Sequence, residues 1–383
     1  MIEDAEIAEV VDSLRSGWIG SGPKVQRFER LLEDYIGVAH VRCVSSCTAA
    51  LTLAMKVLGI GSGDNVIVPA MTFVASANAV EHSGASVVLV DCEPGTGLID
   101  LAAAEAAVTS QTKAIMPVHF AGRPVDLDAV GRLAARHGLR VIEDAAHAIG
   151  AKWRGRRIGA FGNLTAFSFY ATKNITTIEG GALATTDLGF AENVERLALH
   201  GLSVGAWSRF SDAGFKHYEA VEPGYKFNMT DVEAAIGVHQ LPRLDRWIEA
   251  RASRWERYDE LLQGLPLATP EPVREGEHHA RHLYQVLIDP DAPVSRDDVL
   301  ERLDAQKIGS GVHYRGIHLH PYYRERYQID PASLPVATDI SERTLSLPLG
   351  PNLTKSDQEE VAAALSVALT SDVAASGTKT SFT

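Results

Sequence analysis

The stretch LTAFSFYATKNITTIEGGALATT, residues 164–186, contains two apolar runs joined by a turn that carries Lys173. The runs Leu164–Phe169 and Ala182–Thr185 have the length and composition of strands. Because both runs are apolar throughout instead of alternating, they predict strands that are covered on both faces. The stretch therefore predicts a buried sheet with an ammonium group beside the end of one strand.

Five similar runs precede this stretch, and amphipathic segments lie between most of them. The runs are Val41–Val44, Val66–Val68, Ser86–Asp91, Ala114–Val118 and Leu139–Glu143. The amphipathic segments are Thr48–Leu58, Val74–His82, Leu101–Val108 and Ala129–His137. Alternation of strands and helices predicts βαβ units, and hence an α/β fold with a mainly parallel seven-stranded sheet between helices.

The pattern changes in the second half of the chain. Long helices are predicted over Asp231–Gln240 and Leu244–Leu265, a strand over His282–Ile288, and further helices over Arg296–Gln306 and Lys355–Leu369. We therefore expect a large domain, residues 1–245, and a small C-terminal α+β domain, residues 246–371. The tail, residues 372–383, is rich in Ser, Thr, Gly and Ala and is predicted to be disordered.

Composition excludes several classes of protein. The 383 residues include 49 Asp and Glu against 36 Lys and Arg, and the net charge of −13 argues against a nucleic-acid partner. No apolar run approaches the roughly 18–20 residues that span a bilayer, so no membrane partner is expected. The acidic opening MIEDAEIAEV does not fit a signal peptide. The three cysteines, Cys43, Cys47 and Cys92, lack metal spacing and favour a reduced, cytoplasmic protein.

Lys173 is the residue most informative about chemistry. It is the only Asp, Glu, Lys or Arg between Arg157 and Glu179. A lone ammonium beside buried surface loses solvation, so its pKa should fall, and a neutral lysine can form a Schiff base with a carbonyl. The alternative is a lysine that reaches solvent from a surface turn.

Asp144 and His147 lie in LRVIEDAAHAIGA, residues 139–151, where a buried strand ends. Ligands of open α/β sheets bind at the carboxyl ends of the strands. A carboxylate there could keep a pyridinium nitrogen protonated, as the chemistry of pyridoxal phosphate requires. The alternatives are an Asp that caps the next helix and an ordinary buried histidine.

Three other places offer groups for an anionic, planar ligand. Ser45–Thr48 stands between a strand and a helix, where free amides and hydroxyls make an anion site. Ser168 is a further hydroxyl donor, and Phe73 follows another strand end and could stack on a ring. The alternatives are an ordinary N-cap and a core phenylalanine.

Metal and hydrolase chemistry are not favoured by the motifs. The histidine-rich segments EGEHHARH, residues 275–282, and VHYRGIHLHPYYRE, residues 312–325, lack a Cys pair and the HExxH pattern, so no metal site is expected. No GxSxG motif is present. GIGSGD, residues 59–64, precedes a strand, so it does not fit a dinucleotide or P-loop motif.

Taken together, the segments resemble the DegT/DnrJ/StrS family of sugar aminotransferases over nearly the whole chain. The resemblance rests on SSCTAAL, PAMTFVASANAV, PVHFAGRPVDLDA, VIEDAAHAIGA, SFYATKNITTIEGGAL and GYKFNMTDVEAAIG. It implies the type I aminotransferase fold, pyridoxal 5′-phosphate as cofactor with its pyridoxamine form as intermediate, and a homodimer with active sites shared between subunits.

The resemblance also implies roles by position. Lys173 matches the lysine of the internal aldimine, Asp144 the acid at the pyridine nitrogen, and Phe73 the aromatic ring stacked on the cofactor. Cys47, Thr48 and Ser168 fall where the phosphate is held, and His147 falls near the phenolic oxygen. Asn228 would reach across a dimer interface to the partner's phosphate.

Two departures from the family pattern are visible. The phosphate turn has Cys47-Thr48 where Gly-Thr is commonest, so a larger side chain must fit. Many members have GYNYRM where this chain has GYKFNM, residues 224–229, which leaves open whether Lys226 or Asn228 makes the cross-subunit contact.

The implied reaction moves an amino group from L-glutamate to the keto group, at C4, of a dTDP- or UDP-linked keto-deoxysugar. Arg209, Lys226, Tyr314 and Arg315 are candidates for binding the diphosphate or the donor's carboxylates, with ordinary surface side chains as the alternative. Two other functions stay open: an aminotransferase of a free cyclitol ketone of the scyllo-inosose type, and a non-catalytic regulatory member of the fold.

Overall fold

The computed structural model describes residues 2–203 and 218–370. Arg209 and the tail predicted to be disordered, residues 372–383, lie outside the described residues. The strands are β1 (His40–Val44), β2 (Asn65–Pro69), β3 (Ser86–Val90), β4 (Thr112–Ile115), β5 (Arg140–Asp144), β6 (Lys152–Trp153), β7 (Arg156–Arg157), β8 (Leu164–Ser168), β9 (Gly181–Thr185), β10 (Leu267–Ala268), β11 (Glu277–His278), β12 (Tyr284–Ile288) and β13 (Thr344–Leu347).

The helices flank these strands and fill the C-terminal part. They are α1 (Asp4–Ser16), α2 (Pro23–Ile36), α3 (Cys47–Val57), α4 (Val74–Ser83), α5 (Leu101–Ala106), α6 (Leu127–His137), α7 (Leu188–Ala198), α8 (Asp231–Gln240), α9 (Leu244–Leu261), α10 (Arg296–Ala305), α11 (Pro321–Tyr327), α12 (Pro335–Arg343) and α13 (Lys355–Ala368).

Seven strands form the central sheet in the order β1-β9-β8-β5-β4-β2-β3. Strand β9 runs antiparallel to β1 and β8, and the other pairs are parallel. The predicted mainly parallel seven-stranded sheet is therefore confirmed, with strand ends that differ by a few residues. The predicted run Ala114–Val118 is longer than the strand, since β4 ends at Ile115. Beyond that end, an isolated bridge still pairs Val118 with Asp144.

Helices cover both faces of the sheet, which explains why its strands are apolar throughout. On one face, Phe28 and Leu32 of α2 belong to the same buried cluster as Phe167 of β8. On the other face, Leu51 of α3 belongs to a cluster that contains Ala166 of β8. Neighbouring residues of β8 thus point to opposite faces, and both are fully buried.

A second, antiparallel sheet of order β10-β12-β13 lies in the C-terminal part and packs with α9, α10 and α13. The predicted helix Leu244–Leu265 ends at Leu261, just before Gly264, which has a φ of 79°. The predicted strand His282–Ile288 begins at Tyr284. The N–H of His282 donates to the Ala121 carbonyl and not to a carbonyl of a neighbouring strand. The division into domains 1–245 and 246–371 stays a prediction.

Within residues 2–203 and 218–370, no helix has both the length and the apolar character needed to cross a bilayer.

Gly181 brings β9 against the turn between β1 and α3. A Cβ at this position would lie 2.4 Å from the carbonyl carbon of Ser46 and 2.5 Å from the amide nitrogen of Cys47. Both atoms are backbone, so they cannot move aside as a flexible side chain would. The second glycine of the EGGAL segment therefore fixes where the N-terminus of α3 stands relative to the sheet.

Replacing Gly181 with Ala should lower the free energy of unfolding by about 1–3 kcal/mol, because the added methyl group overlaps the Ser46–Cys47 peptide. Urea unfolding followed by circular dichroism measures the change. The control is Gly131→Ala in α6, where a Cβ meets no atom within 4 Å; it should stabilise the protein by about 0.5–1 kcal/mol. Equal unfolding midpoints for the two variants would contradict the steric argument.

Candidate functional site

A cavity of about 660 Å³ opens at the carboxyl ends of the central strands. This volume lies within the range of roughly 300–1,000 Å³ that is typical of small-ligand sites. The structure brings most of the predicted site residues to its wall. The predicted residues that line the cavity are Cys47, Thr48, Phe73, Asp144, His147, Ser168, Lys173 and Tyr314.

Lys173 stands in the turn after β8, and its own N–H donates to the Tyr170 carbonyl at 3.0 Å. Its side chain is partly buried, and among the described residues its ammonium has no hydrogen-bond or ion-pair partner. Burial lowers the pKa of Lys173, and the negative charge of Asp144 opposes this effect. A lysine in this state supplies a nucleophilic amine more readily than a solvated one.

Asp144 ends β5 and is buried. Its Oδ2 accepts a hydrogen bond from Ser76 Oγ at 2.7 Å, and its Oδ1 accepts from the Ala146 N–H at 3.0 Å. Ser76 Oγ in turn lies 2.8 Å from Thr72 Oγ1. The carboxylate therefore does more than cap the following segment: a serine from α4 fixes its orientation inside the cavity.

The preceding residue, Glu143, lies on the opposite face of the same strand. Its carboxylate is 2.9 Å from His119 Nε2 and accepts from Asn163 Nδ2 at 2.7 Å. Because side chains alternate along a strand, only one of the two neighbouring acids can face the cavity. Glu143 is used in a buried internal network, and Asp144 is the acid that lines the cavity.

The N-terminus of α3 supplies the polar end of the cavity. Ser46 is its N-cap, and Ser46 Oγ accepts from the Ala49 N–H at 3.1 Å. Among the described residues, the N–H groups of Cys47 and Thr48 have no hydrogen-bond partner, as expected for the first amides of a helix. These free amides can bind an anion without any positively charged side chain.

Cys47 fits this turn although it is larger than glycine. Its side chain is buried, and burial, with Asp144 next in importance, raises the pKa of its thiol. The thiol is therefore protonated, and the backbone amide stays available beside Thr48.

An aromatic wall closes another side of the cavity. Tyr314 OH lies 3.0 Å from His147 Nε2, and the ring centroids of Tyr314 and Phe73 are 5.4 Å apart. Phe73 is 53% exposed, so the alternative of a core phenylalanine is wrong. Burial, and then the charge of Lys173, lowers the pKa of His147 well below its usual value, which keeps this imidazole neutral.

Sequence reasoning missed several cavity residues. His282 and His313 were weighed only as metal ligands, yet both line this cavity. Burial, and then Lys173, lowers the pKa of His313 to about 4, and its Nδ1 lies 2.9 Å from Ser346 Oγ. Ser76 stands three residues after Phe73 in PAMTFVASANAV, and a hydroxyl on the inner side of an apolar helix was the signal that could have found it.

Three of the predicted residues that the structure describes are not brought to the cavity of this chain. Asn228 Nδ2 donates to Ser21 Oγ at 2.7 Å, and Lys226 Nζ donates to Asn228 Oδ1 at 2.6 Å, so both lie elsewhere. Arg315 is exposed, and its Nη2 donates to the Leu319 carbonyl at 3.1 Å. Arg209 lies outside the described residues. The roles of all four stay predictions.

The residues of the cavity fit pyridoxal phosphate, which the resemblance implies. The cofactor needs an anion site for its phosphate, an acid for its ring nitrogen and a lysine for its aldehyde. The free amides of α3, the Asp144 carboxylate and the Lys173 amine are groups of these three kinds. In the part of the chain that the structure describes, no group of three or more His, Cys, Asp or Glu side chains could hold a metal ion.

Comparison with known proteins adds an independent line of evidence. A family model described as the DegT/DnrJ/EryC1/StrS aminotransferase family matches residues 1–366. The chain is 46% identical over 364 residues to the spore coat polysaccharide biosynthesis protein SpsC of Bacillus subtilis (strain 168), and the match covers 94% of this chain and 93% of that protein.

Solved structures are similar over the same length. The S. venezuelae protein DesV, determined in complex with a ketimine intermediate, superimposes with a TM-score of 0.86 at 35% identity and covers 94% of this chain and 93% of its own. Spr1654 from Streptococcus pneumoniae, in its PLP-form, gives a TM-score of 0.88 at 33% identity with 96% of each chain covered. Its PMP-form gives a TM-score of 0.89.

The electrostatics of the cavity can be tested on cofactor-free protein. Lys173 should react with acetic anhydride with a midpoint pH below 10.5, since burial disfavours its charged form. Replacing Asp144 with Asn removes a negative charge that stabilises the ammonium, so the midpoint should fall further. Peptide mass spectrometry across a pH series measures both values.

Lys113 is the control, because it is exposed on β4 and lies outside the cavity. At each pH of the series, the extent of its labelling should be the same in the wild type and the Asp144→Asn variant. A Lys173 midpoint at or above 10.5 would show that the cavity does not desolvate the amine.

Proposed function

Because this chain belongs to the DegT/DnrJ/EryC1/StrS aminotransferase family, we propose that it moves an amino group from L-glutamate to the C4 keto group of a dTDP- or UDP-linked keto-deoxysugar. The type I aminotransferase fold is confirmed by the solved structures that it matches, and pyridoxal phosphate is its cofactor. The observation that carries the proposal is the meeting of Lys173, Asp144 and the N-terminus of α3 around one cavity.

Pyridoxal phosphate, when bound, supplies an electron-accepting ring that lets the amino group leave the carbon of the donor. The residues that would hold it are those around the cavity. Thr48, Ser168 and the free amides of α3 would bind the phosphate, and Phe73 would cover one face of the ring. His147, held by Tyr314, would stand at the phenolic oxygen, and Asp144 would pair with the ring nitrogen.

Asp144 is suited to holding a proton on that nitrogen. Its two oxygens already accept from Ser76 Oγ and from the Ala146 N–H, so the carboxylate has a fixed direction. A positioned acceptor loses less entropy on binding than a mobile one. The role of Ser76 is therefore to orient Asp144.

Lys173 would move the proton between the donor carbon and the cofactor carbon C4′. A general base works best when its pKa is near the working pH, and burial lowers the pKa of Lys173 in that direction. Neutral His147 and His313 add no positive charge beside it. The same amine would hold the cofactor in the cavity through its aldehyde carbon.

The sugar substrate is supported by the kinds of relatives and by the sequence. SpsC is named for polysaccharide biosynthesis. The GYKFNM segment, with HGLSVGAWSR before it, resembles the branch of the family that acts at C4 of nucleotide-linked sugars. The cavity also has apolar wall residues, Leu283, Leu347 and Leu349, against which a deoxysugar can pack.

A homodimer would complete the site. Asn228 Oδ1 accepts from Lys226 within its own chain, and Asn228 Nδ2 uses one of its two N–H groups to donate to Ser21. Lys226 keeps two further N–H donors and is exposed. These contacts favour Lys226 as the group that reaches the partner's phosphate, with Asn228 holding it in place. Large apolar side chains near the cavity mouth, Phe73, Tyr170 and Ile178, are exposed and support an interface there.

The Lys173→Ala variant should lose turnover and the visible absorbance of the lysine-bound cofactor, because no other amine lines the cavity among the described residues. Addition of L-glutamate to the wild type should convert its spectrum to that of the pyridoxamine form. A panel of nucleotide-linked keto sugars should then restore the first spectrum. Lys113→Ala should behave as the wild type, and an active Lys173→Ala protein would refute the assignment.

Mixing subunits tests the shared site. Lys226→Ala should bind pyridoxal phosphate about tenfold more weakly, since it loses a charged hydrogen bond to the phosphate. The Lys226→Ala and Lys173→Ala variants are mixed, dissociated and reassociated. Each heterodimer then has one intact site of two, so random pairing restores about a quarter of the wild-type number of sites. Activity that does not rise above that of the separate variants would contradict a site shared through Lys226.

A further inference from the structure

The residue after Lys173 is a buried asparagine that no step above uses. Asn174 is 6% exposed and lies in the same turn as the lysine. Its Nδ2 donates to the Ala280 carbonyl at 2.7 Å, and its Oδ1 lies 3.1 Å from Nδ1 of His282. One side chain thus joins the Lys173 turn to the segment 280–283, which enters β12.

The segment 280–283 is itself held by the short 3-10 turn Phe120–Gly122, which follows β4. The Ala280 N–H donates to the Gly122 carbonyl at 2.8 Å, and the His282 N–H donates to the Ala121 carbonyl at 3.1 Å. Asn174 is therefore anchored to a segment that has two backbone hydrogen bonds of its own to the turn after β4. The Lys173 turn is therefore held on both sides of the lysine, by β8 before it and by the hydrogen bonds of Asn174 after it.

These hydrogen bonds also determine the tautomer of His282. A carbonyl oxygen can only accept, so the Asn174 amide must direct its NH₂ toward Ala280 and its oxygen toward His282. That oxygen can only accept as well, so Nδ1 of His282 must carry the proton. Burial, and then His147 and Lys173, lowers the pKa of His282 well below its usual value, so the ring is neutral and Nε2 keeps its lone pair.

His282 lies directly in the site. It is 6% exposed, lines the same cavity as Lys173, and its ring centroid is 4.5 Å from that of His147. In the opposite tautomer, the unprotonated Nδ1 of His282 and the Asn174 oxygen would be two acceptors facing each other, and both buried groups would lose their hydrogen bond, which is costly.

We propose that Asn174 is a positioning residue that holds the Lys173 turn in place and keeps His282 in its Nδ1–H tautomer. The inference rests on the proposed function, because it requires Lys173 to be the reacting amine. His282 then presents an acceptor nitrogen to the cavity that Lys173 also lines. Asn174 and His282 act as one unit. A displacement of about 1 Å at a reacting group can reduce a rate by about 10²-fold.

Asn174→Ala should lower the single-turnover rate with L-glutamate by about 10²-fold while the KM for glutamate changes by less than about threefold. His282→Leu should have the same effect. His282→Gln should stay within about fivefold of the wild type, because its amide offers a donor to Asn174 and an acceptor to the cavity. Pyridoxal phosphate should remain bound in all three variants, as measured by equilibrium dialysis.

The double variant Asn174→Ala with His282→Leu tests whether the two act through one another. It should be no more than about threefold slower than either single variant, since the removal of one partner already disables the pair. Multiplied losses would overturn the proposal. Thr176→Val is the control for general loosening of the turn, because Thr176 Oγ1 donates to the Phe169 carbonyl and accepts from the Ile178 N–H without contacting His282.

A spectroscopic measurement reports on the tautomer without turnover. In full-length protein with ¹⁵N-labelled histidine, the His282 signal, identified by its loss in His282→Gln, should have the pattern of an Nδ1–H imidazole. Asn174→Ala should convert it to a mixture of tautomers, and Thr176→Val should leave it unchanged. An Nε2–H pattern in the wild type would overturn the proposal.

The outcomes separate this inference from the proposed function. If wild-type protein fails to react with L-glutamate or any keto sugar while His282 is in the Nδ1–H form, the proposed function fails and the structural part of the inference stands. If the wild type reacts and Asn174→Ala is as fast as Thr176→Val, Asn174 has no positioning role.

Discussion

Parallel strands send their carboxyl ends to the same edge of a sheet, and the whole site depends on that constraint. β5 ends at Asp144, β8 ends at Ser168 just before the Lys173 turn, and α4 begins just beyond the end of β2. The antiparallel strand β9 departs from this direction, and Gly181 at its start lets it lie against the N-terminus of α3. Acid, amine and anion site thus meet without any long loop to carry them.

The electrostatics of the cavity are local and differ from those of the whole chain. The protein carries a net charge of −13, yet its family binds a phosphorylated cofactor. Free amides at a helix N-terminus attract an anion at short range, and distant surface charges are screened by salt. Burial then sets the proton on each group: it disfavours the charged forms of Lys173, His147 and His313, which is the condition for amine chemistry.

Buried contacts link the part of the chain around the central sheet to the β10-β12-β13 sheet. The segment 280–283 hydrogen-bonds to Ala121 and Gly122 and to Asn174, and it leads directly into β12 of the smaller sheet. Tyr314, which comes from the C-terminal half of the chain, meets His147 at the end of the large sheet. The wall of the cavity is therefore built from both parts, and its geometry depends on how they pack.

The sequence by itself determined the α/β class, the seven strands of the sheet and the residues at their ends, because apolar periodicity and strand ends are local properties. It also picked out Lys173, Asp144, Cys47 and Thr48, since unusual residue types at strand ends are visible without a fold. Only the tertiary structure decided that Ser76 orients Asp144, that His282 and Asn174 are paired across 108 positions, and that Arg315 faces away. Contacts of this kind join residues far apart in the chain, and no local pattern records them.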